Sequence, residues 1–391
     1  MTDLRGLGLS ALLALAFAAC SDDSEPPAGP GPDAGGGARG GSGGGAPDAS
    51  GGSSGSSGGS AGSAGASSGG ASGATAGGAS GSGGTATGGS SGTSTGGSAG
   101  SAGTAGVGGT GGSGGSDPGN GWTQVWADEF DGNAIDSSKW EHEVDCWGGG
   151  NGEDQCYVSA AKNSFVKDGF LHIVAIKDRP SGAVSATDPT VVTKGHSSAR
   201  LRTLGKGDWK YGRVEAKMKL PFGKGLWPAF WMLPTDRVYG GWAASGEIDI
   251  MEAINLKSGP NEVHGTLHYG GAWPNNVNSG TGYKPPENLW EDFHRYAIEW
   301  QEGEIRWFYD QKHYLTQTKW RTTAGAFPAP FDQKFHIILN VAVGGQWPGP
   351  PDGTTTFPQE MVVDYVRVYA CASDRATGKG CGTSDPAIKP L

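Results

Sequence analysis

Aromatic, Leu, Ile and Met side chains are missing from residues 21–121 of this 391-residue chain. No aromatic residue occurs between Phe17 and Trp122, and no charged residue between Ser50 and Ser116. A segment without aromatics or large aliphatics cannot bury enough apolar surface to offset its ordering entropy, so a folded N-terminal domain is excluded. Glycine fills the gap, with 42 of the 74 glycines in residues 1–120. All 14 Trp and 10 Tyr lie from Trp122 onward. What remains is one globular unit of about 270 residues, within the range of a single large all-β domain.

Runs of Lys or Arg are also lacking. The net charge is −10, and the part after residue 120 carries 27 basic against 32 acidic residues. A nucleic-acid surface is therefore not expected, and a neutral substrate suits the balance better than a polyanion. No apolar run is long enough to cross a bilayer. The longest, Leu7–Ala19, follows Arg5 and has the length of a signal-peptide core. Ala18-Ala19-Cys20 resembles a bacterial lipobox, with Phe17 where such sites usually carry Leu. Residues 1–20 are thus expected to be a lipoprotein-type signal peptide, with Cys20 lipidated. The chain is expected to be exported and held at the cell envelope by that anchor alone. Residues 21–118, rich in Gly, Ser, Ala and Thr, are expected to be a disordered tether. Such a coil has a root-mean-square span of about 50–60 Å. A folded domain over 119–371 and a C-terminal tail over 372–391 complete the chain, which is expected to act as a monomer.

Cysteine is scarce, at five residues. Beyond Cys20, Cys146 and Cys156 are ten apart, as are Cys371 and Cys381. Four cysteines allow three connectivities, of which local pairing is the simplest. Neither pair has zinc-site spacing, and an oxidising compartment favours disulfides.

What is abundant is short β-patterning. In Gly212–Leu220, Val214, Ala216, Met218 and Leu220 face one way while Arg213, Glu215, Lys217 and Lys219 face the other. Arg295–Trp300 and Glu304–Tyr309 read as a hairpin. Phe170–Ile176, Val263–Tyr269, Phe335–Val343 and Met361–Tyr369 add strands, and no helical periodicity reaches twelve residues. Many short strands without helices imply a sandwich or barrel.

Chemistry concentrates in GEIDIMEA, residues 246–253. In a strand, Glu247 and Asp249 share a face, but strict alternation would bury Glu252 in the core at high cost. One extra residue, a bulge near Ile250-Met251, returns Glu252 to the carboxylate face. Three adjacent carboxylates raise one another's pKa, so at least one proton is retained near neutral pH. An ionised carboxylate beside a protonated acid is the arrangement of glycoside hydrolysis. The same residues also admit a solvated acidic strand, which would not need the flanking Trp, or a metal site, which would normally recruit His or more oxygen ligands nearby.

This stretch resembles the signature of glycoside hydrolase family 16 in its laminarinase-type, bulged form. The likeness runs through VWADEFDG (125–132), CWGGGNGEDQCYV (146–158), SARLRT (198–203), YGRVEAKMKLP (211–221), GLWPAFWMLP (225–234), GTLHYGG (265–271), LNVAVGGQWPG (339–349) and VDYVRVYA (363–370). The resemblance implies a β-jelly-roll sandwich of two antiparallel sheets, concanavalin A-like, with a substrate cleft on its concave face. It implies Glu247 as nucleophile, Asp249 as its modulator and Glu252 as acid and base. Asn151, Arg200, Trp227, Trp231, His268 and Trp347 are the implied substrate contacts, with His268 close to Glu252. A plain salt bridge is the other reading of Arg200. His142, His172, His196 and His313 are read as structural or surface residues. By the same resemblance Glu129, Gly169 and Asp364 match a structural calcium site, the alternative being that the two acids pair with Lys or Arg. No cofactor is expected for catalysis.

The expected activity is a retaining endo-β-1,3-glucanase acting on β-glucan. Alternatives are a related enzyme cutting mixed-linkage β-1,3-1,4-glucan or a galactan, a non-catalytic polysaccharide-binding module, and a surface structural lipoprotein.

Overall fold

The computed structural model describes Gly119 and residues 121–391. The expected signal segment 1–20 with Cys20 and the expected tether over 21–118 lie outside the described residues. The described residues form strands and no helix. Two large antiparallel sheets face each other. The outer sheet holds eight strands and pairs Gly212–Lys219 between His294–Gln301 and the long C-terminal strand Gln359–Cys371. The inner sheet holds seven, in the spatial order Asn276–Tyr283, Val263–Gly270, Glu247–Glu252, Leu226–Pro234, Phe335–Val343, Arg200–Arg202 and Glu141–Glu143.

Alternation places the core between the sheets. Val214, Ala216 and Met218 are fully buried there against Phe230, Met232, Ile248 and Leu339 from the inner sheet. The opposite face of Gly212–Lys219, which the alternation reads as the solvent side of a half-buried strand, is covered. Arg213 and Glu215 are buried as well, in a charged network with Glu299 and Arg306. The C-terminal tail covers them. Thr383 donates its backbone N–H (2.7 Å) and hydroxyl (2.9 Å) to the Glu299 carboxylate. Four buried charges are tolerated there because each has a partner.

Both local disulfides are present, Cys146–Cys156 and Cys371–Cys381. The second ties the end of the last strand to the tail that covers Glu299. The expected strands appear within one or two residues of their sequence bounds. Asn276–Tyr283, polar and glycine-bearing, lacks a strand signature. It is recruited as an edge strand by backbone pairing to Val263–Gly270 alone.

Candidate active site

The catalytic-face geometry begins at a glycine. Gly246 has φ +89°, and a Cβ there would sit 2.9 Å from the Phe331 ring. A glycine therefore lets the chain turn tightly over Phe331 into the strand Glu247–Glu252. In that strand Asp249 lies opposite Trp231 and Glu252 opposite Ala229, so three residues span what two span on the neighbour. The expected bulge is thus present, with Ile250 as the extra residue. Ile248, Ile250 and Met251 enter the core while Glu247, Asp249 and Glu252 share the other face. The pairing with Val263–Gly270 shows the same offset.

A bulge disturbs the ladder hydrogen bonds around it. Here Trp307 of the outer sheet reaches across the core and donates its Nε1–H to the Asp249 carbonyl, at 2.8 Å. Gly265 makes that reach possible, since a Cβ at this position would lie 2.5 Å from the Trp307 ring. Trp307 is a positioning residue that the sequence did not reveal, because an alternating apolar residue reads simply as core.

All three acids are buried. The two end carboxylates are each held by a tryptophan. Trp242 Nε1 donates to Glu247 Oε2 at 2.7 Å, and Trp227 Nε1 donates to Glu252 Oε1 at 2.9 Å. Burial raises the Glu247 carboxyl well above the usual carboxylate range, and the charge of Asp249 adds to this. Burial likewise raises Asp249 to about 8, against a hydrogen bond with Glu247 that lowers it. Glu252 is pushed up to about 8 by burial first and by the charge of Asp249 second. Protons are therefore retained in the row through neutral pH.

His268 is near enough to Glu252 for its charge to act on that carboxyl, and it also contacts the other two acids. It lies opposite Glu247 in register, with Nε2 3.3 Å from Asp249 Oδ2 and 3.7 Å from Glu247 Oε1. The histidine opposite Glu252 is His264. The bulge sets this pairing, since without the extra residue Glu252 would face Val263. Glu247, Asp249 and His268 offer ligand atoms within 4.8 Å of one another and could hold a cation, as could Glu287, His294 and Asp310 outside the cleft.

The other expected contacts gather on the same face. Trp227 and Trp231 share it, as their spacing of four predicts. Trp231 Nε1 donates to Asn340 Oδ1 at 2.7 Å, and Asn340 donates to the Tyr157 hydroxyl at 3.0 Å. The Arg200 guanidinium lies over the Tyr157 ring at 4.4 Å and the Trp231 ring at 5.4 Å, and 3.5 Å from Glu143. It thus joins a salt bridge and the cleft floor at once. Trp347 packs edge-on against Trp227 at 5.3 Å and against His264 at 5.1 Å. Asn151 is buried and donates to Glu153 Oε1 at 3.1 Å. Glu153 is a fourth buried acid that sequence reasoning missed, and its charge also acts on Glu252. Of the histidines set aside, His142 bonds Ser164, His172 pairs Glu360, His196 pairs Asp154 and His313 bonds Thr316.

The residues of the implied calcium site do not fit the ion. Both Glu129 oxygens accept from Arg367, at 2.7 Å each, and Asp364 accepts from Lys217 at 2.7 Å. A calcium ion needs several free oxygen donors, and these carboxylates are spent on protein cations. Gly169 occupies the turn before Phe170–Ala175 with φ +82°.

Comparison with known proteins places the family and the fold. The family model described as β-porphyranase A–D, GH16 domain, matches residues 122–371. The chain belongs to glycoside hydrolase family 16. It is 43% identical over 264 residues to glucan endo-1,3-β-glucosidase A1 of Niallia circulans, covering 64% of this chain and 38% of that protein. It is 42% identical over 258 residues to a β-glucanase of Rhodothermus marinus, covering 63% of this chain and 85% of that protein. Among solved structures, the catalytic domain of an endo-1,3-β-glucanase (laminarinase) from Thermotoga petrophila superposes with a TM-score of 0.56 at 39% identity. That match covers 64% of this chain and 98% of that one. The family 16 domain is therefore a glycoside hydrolase with the jelly-roll architecture.

Proposed function

We propose that this protein is a retaining endo-β-1,3-glucanase, exported and tethered to the cell envelope through Cys20. The observation that carries the catalytic reading is the bulged row of three buried carboxylates, its two ends each held by a tryptophan N–H. In this reading the Glu247 carboxylate attacks the anomeric carbon. Glu252 gives its proton to the departing glycosidic oxygen, and a glycosyl ester forms on Glu247. Glu252, now ionised, takes a proton from water, whose oxygen attacks the same carbon and frees Glu247. Asp249, hydrogen-bonded with Glu247 and beside His268, modulates the charge on the nucleophile. A neutral sugar suits Trp227, Trp231 and Trp347, because its C–H faces stack on aromatic rings. The similarity to two β-glucan-cleaving enzymes at more than 40% identity supports the same substrate class.

The test is product sizing with the purified chain on soluble β-1,3-glucan, mixed-linkage β-glucan and porphyran, the last because the matching family model is named for porphyranases. A rapid fall in chain length on β-1,3-glucan is expected. Cleavage of another polymer alone would move the specificity, and binding without cleavage would overturn the enzymatic reading. Export and anchoring rest on Leu7–Ala19 and Cys20. Radiolabelled fatty acid is expected to enter the wild-type chain and not Cys20→Ser. Light scattering of the purified chain is expected to give a monomer.

A further inference from the structure

Trp273 is 58% exposed, a large apolar side chain left in water. Single surface apolar residues are ordinary, but the attachment of this one is not. It sits on the turn between Val263–Gly270 and Asn276–Tyr283, closed by Gly271 N–H to the Asn275 carbonyl at 3.2 Å. Its own N–H donates to the carbonyl of Trp242 at 3.0 Å. Trp242 in turn holds Glu247. The backbone of Trp273 is therefore fixed one residue away from the group that grips the reacting carboxylate.

The register shows what lies on the floor of the same hairpin. Glu247 is opposite His268, and His268 is opposite Asn278. Cross-strand partners point to the same face, so Asn278 presents its amide on the cleft side, and it is exposed. Two strand spacings separate it from Glu247, about 10 Å. That is the reach of a neighbouring sugar unit rather than of the bond being cut. An exposed indole on a tethered wall and an exposed amide on the floor are the two elements a sugar requires, a face for its C–H groups and a partner for its hydroxyls.

Resting on the glucanase reading, we infer that Trp273 and Asn278 form a further subsite, which binds a neutral sugar unit of the same polysaccharide chain beyond the scissile bond. It lies toward the Asn276–Tyr283 edge of the inner sheet. It sets how strongly long chains are preferred over short ones, and it takes no part in the chemical step.

The experiment measures kcat and KM of the purified wild-type chain, Trp273→Ala, Trp273→Phe and Asn278→Ala on β-1,3-gluco-oligosaccharides of increasing length. For Trp273→Ala, KM on the longest substrates is expected to rise about five- to tenfold, with a smaller change in kcat, as a stacking contact of this size implies. The loss is expected to grow with chain length, Trp273→Phe to recover part of it, and Asn278→Ala to show a weaker version. Equal loss at every length, or no loss at any, would overturn the subsite. If the wild type leaves β-1,3-glucan uncut, the glucanase reading falls by itself. Affinity electrophoresis of the same variants in whichever neutral polysaccharide retards the wild type then decides the subsite. Unchanged retardation of Trp273→Ala would refute it.

Discussion

Glu252→Gln tests the electrostatics of the acid row through stability as well as rate. Glu252 ionises in the unfolded chain near its ordinary 4.5 and in the fold at about 8. Between those values folding takes up a proton. The native state binds more protons than the unfolded state, and stability falls as pH rises through the window. At pH 7 the wild type carries a penalty on the order of 3 kcal/mol for keeping this carboxyl protonated. Gln removes the penalty. Its side-chain oxygen can still accept the Trp227 N–H, although the amide gains a second donor hydrogen to satisfy. A net gain of about 2 kcal/mol remains reasonable, which for a domain of this size raises Tm by about 4–8 °C. Near pH 4 the side chain is protonated in both states and the gain should vanish. The assay is scanning calorimetry of wild type and variant at pH 4, 5.5, 7 and 8, alongside hydrolysis. Activity should fall by about 10²–10⁴-fold while the domain grows more stable. A variant no more stable than wild type at pH 7, or one whose gain is the same at pH 4, would refute the argument that burial of Glu252 holds its proton.

Further outcomes follow from the same geometry. Hydrolysis should decline on the alkaline side around pH 8, where Glu252 loses the proton it must donate, as a pH–rate profile of kcat/KM would show. Glu247→Gln should abolish hydrolysis yet retain binding to the polysaccharide in affinity electrophoresis, since the shape is kept and the nucleophile removed. Trp307→Phe removes the N–H that serves the Asp249 carbonyl and should lower stability by about 1–3 kcal/mol and kcat with it, checked by denaturant unfolding and initial rates. Chelation by EDTA should leave Tm unchanged, because Arg367 and Lys217 already neutralise Glu129 and Asp364.

Much of the architecture was legible in the chain. The alternation in Gly212–Lys219 and the hairpin at 295–309 announced antiparallel strands. The bulge could be argued because burying Glu252 in an apolar core costs more than one unpaired residue. Such signals are local or energetic, and they survive without knowing what packs on what. Partners were a different matter. The face of Gly212–Lys219 bearing Arg213 and Glu215 looked solvated, and only the fold brings Thr383 of the tail over the adjoining Glu299. His268 was expected near Glu252 and its charge does act there, but only the register shows that it faces Glu247 while His264 faces Glu252. Trp307 looked like core filler until the sandwich placed its N–H beneath Asp249. Period and composition alone fix which residues alternate and where the acids cluster, because both are read along the chain. Which side chains meet across strands and between sheets is set by the folded molecule, because register and packing join residues that lie far apart along the chain.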